Sequence, residues 1–95
     1  MAHLMQLNAS NVSGQTVTLD RYYDLLTSVQ LLNTGNYPNA SAVAPVTYTV
    51  VTTTPTAGQV EFTAGNQLVF PSGVTLDTTY GTVVVEGYTK GQIQH

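Results

Sequence analysis

The stretch VTYTVV, residues 46–51, has a residue alternation that fixes its local structure. Successive side chains of an extended chain point to opposite faces, so Val46, Tyr48 and Val50 share one face and the intervening threonines share the other. Valine, threonine and tyrosine are also the residues that pack well on a pleated, half-buried surface. The stretch is therefore predicted to be a β-strand, and the fold must supply further strands to pair with it.

Short apolar alternations bounded by Gly, Pro or Asn predict those further strands. The segment AGN at 64–66 contains residues that tolerate positive φ, so the strands on either side of it are predicted to form a tight hairpin. Pro55 cannot donate to a ladder, and the segment 54–58 is predicted to be a turn that ends one strand before the next begins. The predicted strands are 4–8, 15–19, 46–53, 59–63, 67–70 and 82–88.

The stretch RYYDLLTSVQLLN allows two interpretations. Tyr22, Leu25 and Val29 recur at helical spacing after Asp20, which stands where a helix cap would stand, and this pattern predicts a short helix over 21–28. The same letters allow a turn followed by a strand SVQLLN. We favour the strand, because the rest of the chain has the two-residue period of β-structure.

The chain is expected to form one all-β domain over residues 1–95. Several short strands separated by turn signals are typical of an antiparallel β-sandwich or a small barrel, and we favour the sandwich. A chain of this size buries only about 60–65% of the surface that its unfolded form exposes, so its core is limited.

Charge is sparse, and this excludes some partners. The sequence contains two certain cations, Arg21 and Lys90, against five carboxylates. Phosphate binding requires several Lys or Arg side chains on one face, so we expect no nucleic-acid partner. A polybasic contact with a membrane surface requires the same residues, and no window approaches the length of a spanning helix, so no membrane partner is expected either.

No pattern in the sequence predicts a catalytic, metal or cofactor site. The chain has no cysteine. His3 and His95 stand at the two ends, where chains fray, and neither has a second ligand at metal spacing. Asp20 and Asp24 are better explained as a cap and a solvated face than as a catalytic carboxylate pair. Asp77 is expected to stabilise a turn through its side chain. The chain is therefore predicted not to be an enzyme.

The tyrosines are the candidate interface residues, because tyrosine gives a large contact area at low entropic cost. Four of the six stand near predicted turns and are predicted to be partner contacts, namely Tyr22, Tyr23, Tyr37 and Tyr80. Tyr48 and Tyr88 stand on predicted strands and are expected at the core or at its border. The sheet edges have few of the charges that discourage edge-to-edge pairing, so a homo-oligomer or a docked subunit is expected.

Three segments, 44–63, 66–70 and 83–88, resemble the small β-rich virion proteins of tailed bacteriophages. The shared features are a Thr/Val strand, a P-x-A-G-Q-V turn and strand, and a closing valine-rich strand that ends in tyrosine. The resemblance implies a structural subunit of the virion, such as a capsid decoration or head-stabilising protein, that is assembled in the bacterial host cytoplasm and bound to a virion protein lattice. The alternative is a free-standing adhesin-like or glycan-binding module.

Overall fold

The computed structural model describes residues 2–32 and 45–89. These residues form eight β-strands and no helix, which confirms the prediction of an all-β fold. In chain order the strands are β1 (Ala2–Gln6), β2 (Val12–Ser13), β3 (Thr16–Thr18), β4 (Tyr23–Leu32), β5 (Val46–Val51), β6 (Gln59–Thr63), β7 (Gln67–Val69) and β8 (Thr82–Thr89).

The strands form one curled sheet, in effect a half-barrel, in the order β1-β8-β4-β5-β6-β7-β3-β2. All neighbouring pairs are antiparallel except β5 and β6, which run parallel, so the sheet is mixed and departs from the predicted antiparallel pattern at this pair. The backbone N–H of Thr49 donates to the carbonyl of Gly58 at 2.9 Å, and that of Gln59 donates to the carbonyl of Thr56 at 2.9 Å. These bonds bring the chain back beside β5 before β6 begins, so β6 starts alongside β5 and runs in the same direction.

The predicted hairpin is present between β6 and β7. Ala64 and Gly65 both have positive φ, 58° and 78°, which is the backbone of the turns that match the twist of paired strands. Two further backbone bonds attach the turn to the preceding chain. Tyr23 donates to the carbonyl of Gly65, and Leu19 donates to the carbonyl of Asn66, each at 2.7 Å. The hairpin therefore closes against the start of β4.

β4 is a continuous strand of ten residues, which confirms the favoured strand interpretation and excludes the alternative of a helix over 21–28; the strand begins at Tyr23, where a turn was expected. Its register against β8 shifts at two irregularities, one after Tyr23 and one after Leu26. Each β-bulge places an extra residue in the strand, so core-facing residues there are three positions apart instead of two. The buried residues of β4 are Tyr23, Leu26, Val29 and Leu31. Spacing of three is close to that of a helix face, which explains the helical pattern in the sequence.

The concave side of the sheet contains the hydrophobic core. Its centre includes Phe70, whose ring meets that of Tyr48 edge-on with centroids 5.1 Å apart. No polar or charged residue is buried within the described ranges. The fully buried side chains are Leu7, Val17, Val29, Val60, Leu68, Phe70, Val83 and Val85.

The hairpin turn yields a stability prediction. Ala64 is the one described residue other than glycine with positive φ, and its side chain is exposed. Replacing it with Asn gives the Asn-Gly pair favoured in such turns, so Ala64→Asn should raise the free energy of unfolding by about 0.5–1 kcal/mol in urea titrations.

The neighbouring position is the matched comparison for that variant. Gly65→Ala should lower the free energy of unfolding, because φ is 78° and the added Cβ would lie 3.2 Å from Cδ2 of Tyr22. Equal effects of the two substitutions would show that the turn does not hold the conformation described.

Candidate functional site

The four tyrosines predicted to contact a partner lie in different environments. Tyr22 and Tyr80 are exposed, as that role requires. Tyr23 is buried in the core beneath the start of β4, so its ring is not available on the surface and this part of the prediction needs correcting. The bulge that follows Tyr23 leaves this side chain on the concave face. Tyr37 lies outside the described residues.

The two strand tyrosines also differ from each other. Tyr48 is buried, as expected. Tyr88 is 47% exposed and faces away from the core, directly opposite Leu25 of β4, which is 46% exposed. We call Leu25 and Tyr88 the outer pair. A strand carries side chains on both faces, so the position of Tyr88 in a strand did not decide between core and surface.

Tyr22 lies at the same end of the sheet as the outer pair. It precedes β4, whose first residues pair with the last residues of β8. Its ring packs on the hairpin turn, with Cδ2 close to Gly65. The ring is thus supported from below while more than half of the residue stays exposed. Tyr22, Leu25 and Tyr88 are therefore three exposed large side chains at this end of the sheet.

Tyr80 lies at the opposite end of β8, in the turn that precedes it. The side-chain Oδ1 of Asp77 accepts the backbone N–H groups of Thr79 and Tyr80, both at 2.9 Å. Asp77 therefore stabilises this turn, as predicted. Tyr80 stands before the start of β8, whereas Tyr22 lies near the end of β8, so these two predicted interface tyrosines do not form a single cluster.

A groove of about 500 Å³ lies beside β5. Tyr48 and Val46 of β5 form one side of it, with Pro55 and Pro71 among the flanking residues. Its residues come from three segments that are distant in sequence, so no local pattern could have predicted it. None of its described lining residues carries a charge.

Hydrogen bonds fix the two loops that flank the groove. The Gln15 side-chain amide donates from Nε2 to the carbonyls of Pro71 and Val74, at 2.7 and 2.8 Å. In the other loop, Oε1 of Gln59 accepts from the backbone N–H and the hydroxyl of Thr56, both at 3.0 Å. The groove is therefore a preformed apolar depression.

His3 is not frayed, contrary to expectation. It lies in β1, and its Nε2 is 2.9 Å from Oδ1 of Asp20. Asp20, in the segment between β3 and β4, thus contacts a side chain of β1 and does not cap a helix. His95 lies outside the described residues. Within the described ranges no three His, Asp or Glu side chains are grouped as metal ligands would be.

Asn8 and Asn11 hold the turn after β1 through their side chains. Oδ1 of Asn8 accepts the backbone N–H of Ser10 at 2.8 Å, and Oδ1 of Asn11 accepts the N–H of Asn8 at 2.9 Å. Nδ2 of Asn11 also donates to the carbonyl of Gln6 at 3.0 Å. Both asparagine side chains therefore have structural partners at the end of β1.

The buried tyrosines predict a loss of stability at high pH. Burial raises the pKa of Tyr48 above its usual value, and it does the same for Tyr23, where Arg21 lowers and Asp20 raises the pKa to a smaller extent. Unfolded tyrosines ionise near pH 10, while the folded chain keeps both neutral to higher pH. The stability gained by burying the two neutral tyrosines is therefore fully present below about pH 10. It is lost as the pH rises through the raised pKa values of the folded chain.

Urea denaturation at pH 8, 10 and 11 should show this decline. Tyr48→Phe keeps the buried ring and removes the ionisable hydroxyl, so its decline should be shallower than that of the wild-type chain. Identical pH dependence in the two proteins would contradict a buried, neutral Tyr48.

Comparisons with known proteins give no assignment. Neither the family models, nor the curated proteins, nor the solved structures contain a significant match to this chain. In the part of the chain that the structure describes, no helix has the length and apolar character required to cross a membrane.

Proposed function

We propose that the chain is a non-enzymatic structural subunit that docks on a larger protein assembly, and that this assembly is the virion of a tailed bacteriophage. The observation that carries the proposal is the exposure of three large side chains at one end of the sheet, namely Tyr22 and the outer pair, Leu25 and Tyr88. Large apolar side chains grouped at one end of a small domain are typical of a surface that a partner covers.

The residues around this surface have the pattern of a docking interface. Arg21 and Asp24 precede Leu25 along the chain, and Glu86 stands two residues before Tyr88. An apolar and aromatic centre with a polar border is the usual anatomy of protein–protein contacts. Tyrosine suits the centre because its ring is buried while its hydroxyl can keep a hydrogen bond. We therefore assign the central contacts to Tyr22, Leu25 and Tyr88.

The virion is the favoured assembly for two reasons. The first is the resemblance of segments 44–63, 66–70 and 83–88 to small virion proteins of tailed phages. The second is that a lattice presents many identical sites, so a small domain whose individual contact is weak gains occupancy when its copies are linked. A decoration or head-stabilising subunit requires no catalytic group, cofactor or nucleic-acid surface, which agrees with the sparse charge of the chain.

The second candidate function is a free-standing glycan-binding module, and the groove beside Tyr48 would be its binding site. Glycan sites in proteins combine an exposed aromatic platform with polar or charged side chains that fix the hydroxyl groups. Tyr48 is largely buried beneath the groove, and no carboxylate is among its described lining residues. The docking surface is therefore the stronger candidate.

The test uses virions of a phage whose genome encodes this chain. Gradient-purified particles should contain the chain at many copies per particle, as measured by quantitative mass spectrometry. In a phage that lacks the gene, the purified wild-type chain added to particles should restore this occupancy. Failure to find the chain in particles, together with failure to bind added chain, would contradict the proposal.

Two matched variants locate the contact. Tyr88→Ser and Tyr80→Ser make the same change at opposite ends of β8, and both side chains are exposed. Loss of Tyr88 from a central contact should weaken binding to particles by about 1–2 kcal/mol, or roughly five- to thirtyfold, whereas Tyr80→Ser should bind nearly as well as wild type. The reverse order would place the docking surface at the other end of the molecule.

A further inference from the structure

The outer edge of β1 is an unpaired strand edge within the described residues, where β1 has a neighbour, β8, on one side only. Its sequence AHLMQ contains neither proline nor lysine. Its one ionisable side chain, His3, already contacts Asp20 of the same chain. The devices that usually discourage pairing at an edge are therefore missing from this strand.

The hydrogen-bond pattern shows which backbone groups face outward. Leu7 continues the register of β1 against β8, and its N–H donates to the carbonyl of Gly81 at 2.9 Å. Bonding alternates along an antiparallel pair, so the odd-numbered residues of β1 bond inward to β8. The N–H and C=O groups of Ala2, Leu4 and Gln6 consequently point away from the sheet. The side chain of Asn11 bonds the Gln6 carbonyl, as expected for an outward-facing group.

We propose that β1 pairs antiparallel with β1 of a second copy of this chain, with the two-fold axis at Leu4. Leu4 then stands opposite Leu4 of the second copy, and Ala2 stands opposite Gln6. Each such pair exchanges backbone hydrogen bonds, and the two half-barrels share one continuous sheet. The Gln6 carbonyl keeps its bond from Asn11 and accepts a second bond, because a carbonyl oxygen has two lone pairs.

The side chains favour a second copy and this register. Leu4 is 65% exposed and lies beside Val84 of β8, so the pairing makes an apolar strip of Val84 and Leu4 from each copy. Only the Leu4-centred register uses all three outward-facing residues. Moving the axis to His3 would place two imidazoles opposite each other, and like charges in that position are unfavourable when both are protonated.

Charge also permits the symmetric contact. Glu86, which pairs with Ala2, is the carboxylate of β8 closest to this edge. In the Leu4-centred dimer the two Glu86 positions are about 20 Å apart, from the strand rise and spacing. That separation exceeds the Debye length of roughly 8 Å at physiological ionic strength, so their repulsion is largely screened.

The dimer deepens the proposed function. It rests on that proposal in one respect, namely that the chain works by association with other proteins. Leu25 lies on β4, two strands from β1, and Tyr88 lies two residues past the last paired residue of β8, so each contact can be tested by itself. If the chain binds particles as a monomer, the dimer is contradicted and the docking proposal is not. If the chain forms a dimer that does not bind particles, the docking proposal is contradicted and the dimer is not.

Cysteine cross-linking tests the register, because the chain has no native cysteine. The two Leu4 Cα atoms would be about 5.5 Å apart, within the range that a disulfide bridges. Leu4→Cys oxidised with copper–phenanthroline should form a covalent dimer at least tenfold faster than Val46→Cys, an exposed position on β5, three strands from the β1 edge. Ala2→Cys should not, because its two copies would be about 14 Å apart along the strands. Equal rates for all three variants would overturn the proposal.

Sedimentation equilibrium tests the contact without a covalent bond. The wild-type chain should show a monomer–dimer equilibrium, and Leu4→Lys should raise the dissociation constant about tenfold or more by placing two ammonium groups opposite each other. Val46→Lys places a lysine on β5, three strands from the β1 edge, and should leave the dissociation constant unchanged. A wild-type chain that stays monomeric into the millimolar range, or a dimer insensitive to Leu4→Lys, would contradict pairing at β1.

Discussion

Gly87→Ala should destabilise the fold more than any other substitution of a single methyl group in the described residues. Gly87 of β8 stands opposite Leu26, at the bulged part of β4. A Cβ at this position would overlap the carbonyl oxygen of Leu25 and lie 3.0 Å from Cα of Leu26. Both obstacles are backbone atoms, so no side-chain rotation relieves them. The expected loss is about 3 kcal/mol or more, a large share of the ~5–15 kcal/mol of a typical domain.

The control for Gly87→Ala is Gly73→Ala. A Cβ at Gly73 meets nothing within 4 Å, and its φ is not in the left-handed region. The free energy of unfolding of this variant should lie within about 0.5 kcal/mol of the wild-type value. It should be equal or slightly higher, because alanine restricts the unfolded chain. Urea midpoints followed by circular dichroism measure both variants. A Gly87→Ala protein as stable as Gly73→Ala would mean that the bulge of β4 is not as described.

Phe70→Ala should be the most damaging truncation of a core side chain. Phe70 is fully buried, and its ring meets Tyr48 edge-on across the core. Removing a buried phenyl ring costs about 3–5 kcal/mol, because the cavity that remains does not close completely. We expect a urea midpoint far below that of wild type, with an m value that stays close to the wild-type value if the folded state is retained.

Phe62→Ala is the comparison for Phe70→Ala. Phe62 packs against the same core but is only partly buried, so its truncation should cost clearly less than that of Phe70. If the two truncations cost the same, the core would not be centred on Phe70 and Tyr48.

The sequence predicted most strands because their patterns are local. VTYTVV, the AGN hairpin and the valine-rich β8 each contain a two-residue period or a turn residue that is sufficient by itself. The start of β4 was harder, because its two bulges convert the spacing of buried residues to three. A bulge depends on the partner strand, here on Gly87, and that pairing is not visible in the segment itself.

The parallel pairing of β5 with β6 was also beyond a local pattern. The proline and glycine between them predict a turn, but they do not define the direction in which the next strand runs. The bonds from Thr49 to Gly58 and from Gln59 to Thr56 determine that direction, and they form between residues whose proximity follows from the fold.

The candidate interface was predictable only in part. Tyr22 and Tyr80 were expected on the surface from their position near turns, and both are exposed. Tyr23 was assigned to the surface although the bulge that follows it leaves its side chain on the core face. Tyr88 was expected at the core or at its border, but a position within a strand does not decide which face a side chain takes, and Tyr88 is exposed. The outer pair depends on the register of β4 with β8, and the groove depends on three distant segments, so neither has a signature in the sequence.

Sedimentation of the purified chain at micromolar concentration, alone and mixed with virions that lack it, tests the central claim of association most directly. We expect the wild-type chain to pellet with the particles up to a saturating number of sites, and Tyr88→Ser to reach half-saturation at a roughly five- to thirtyfold higher concentration. A chain that sediments as a monomer at every concentration, and that remains in the supernatant when the particles pellet, would contradict the role in association.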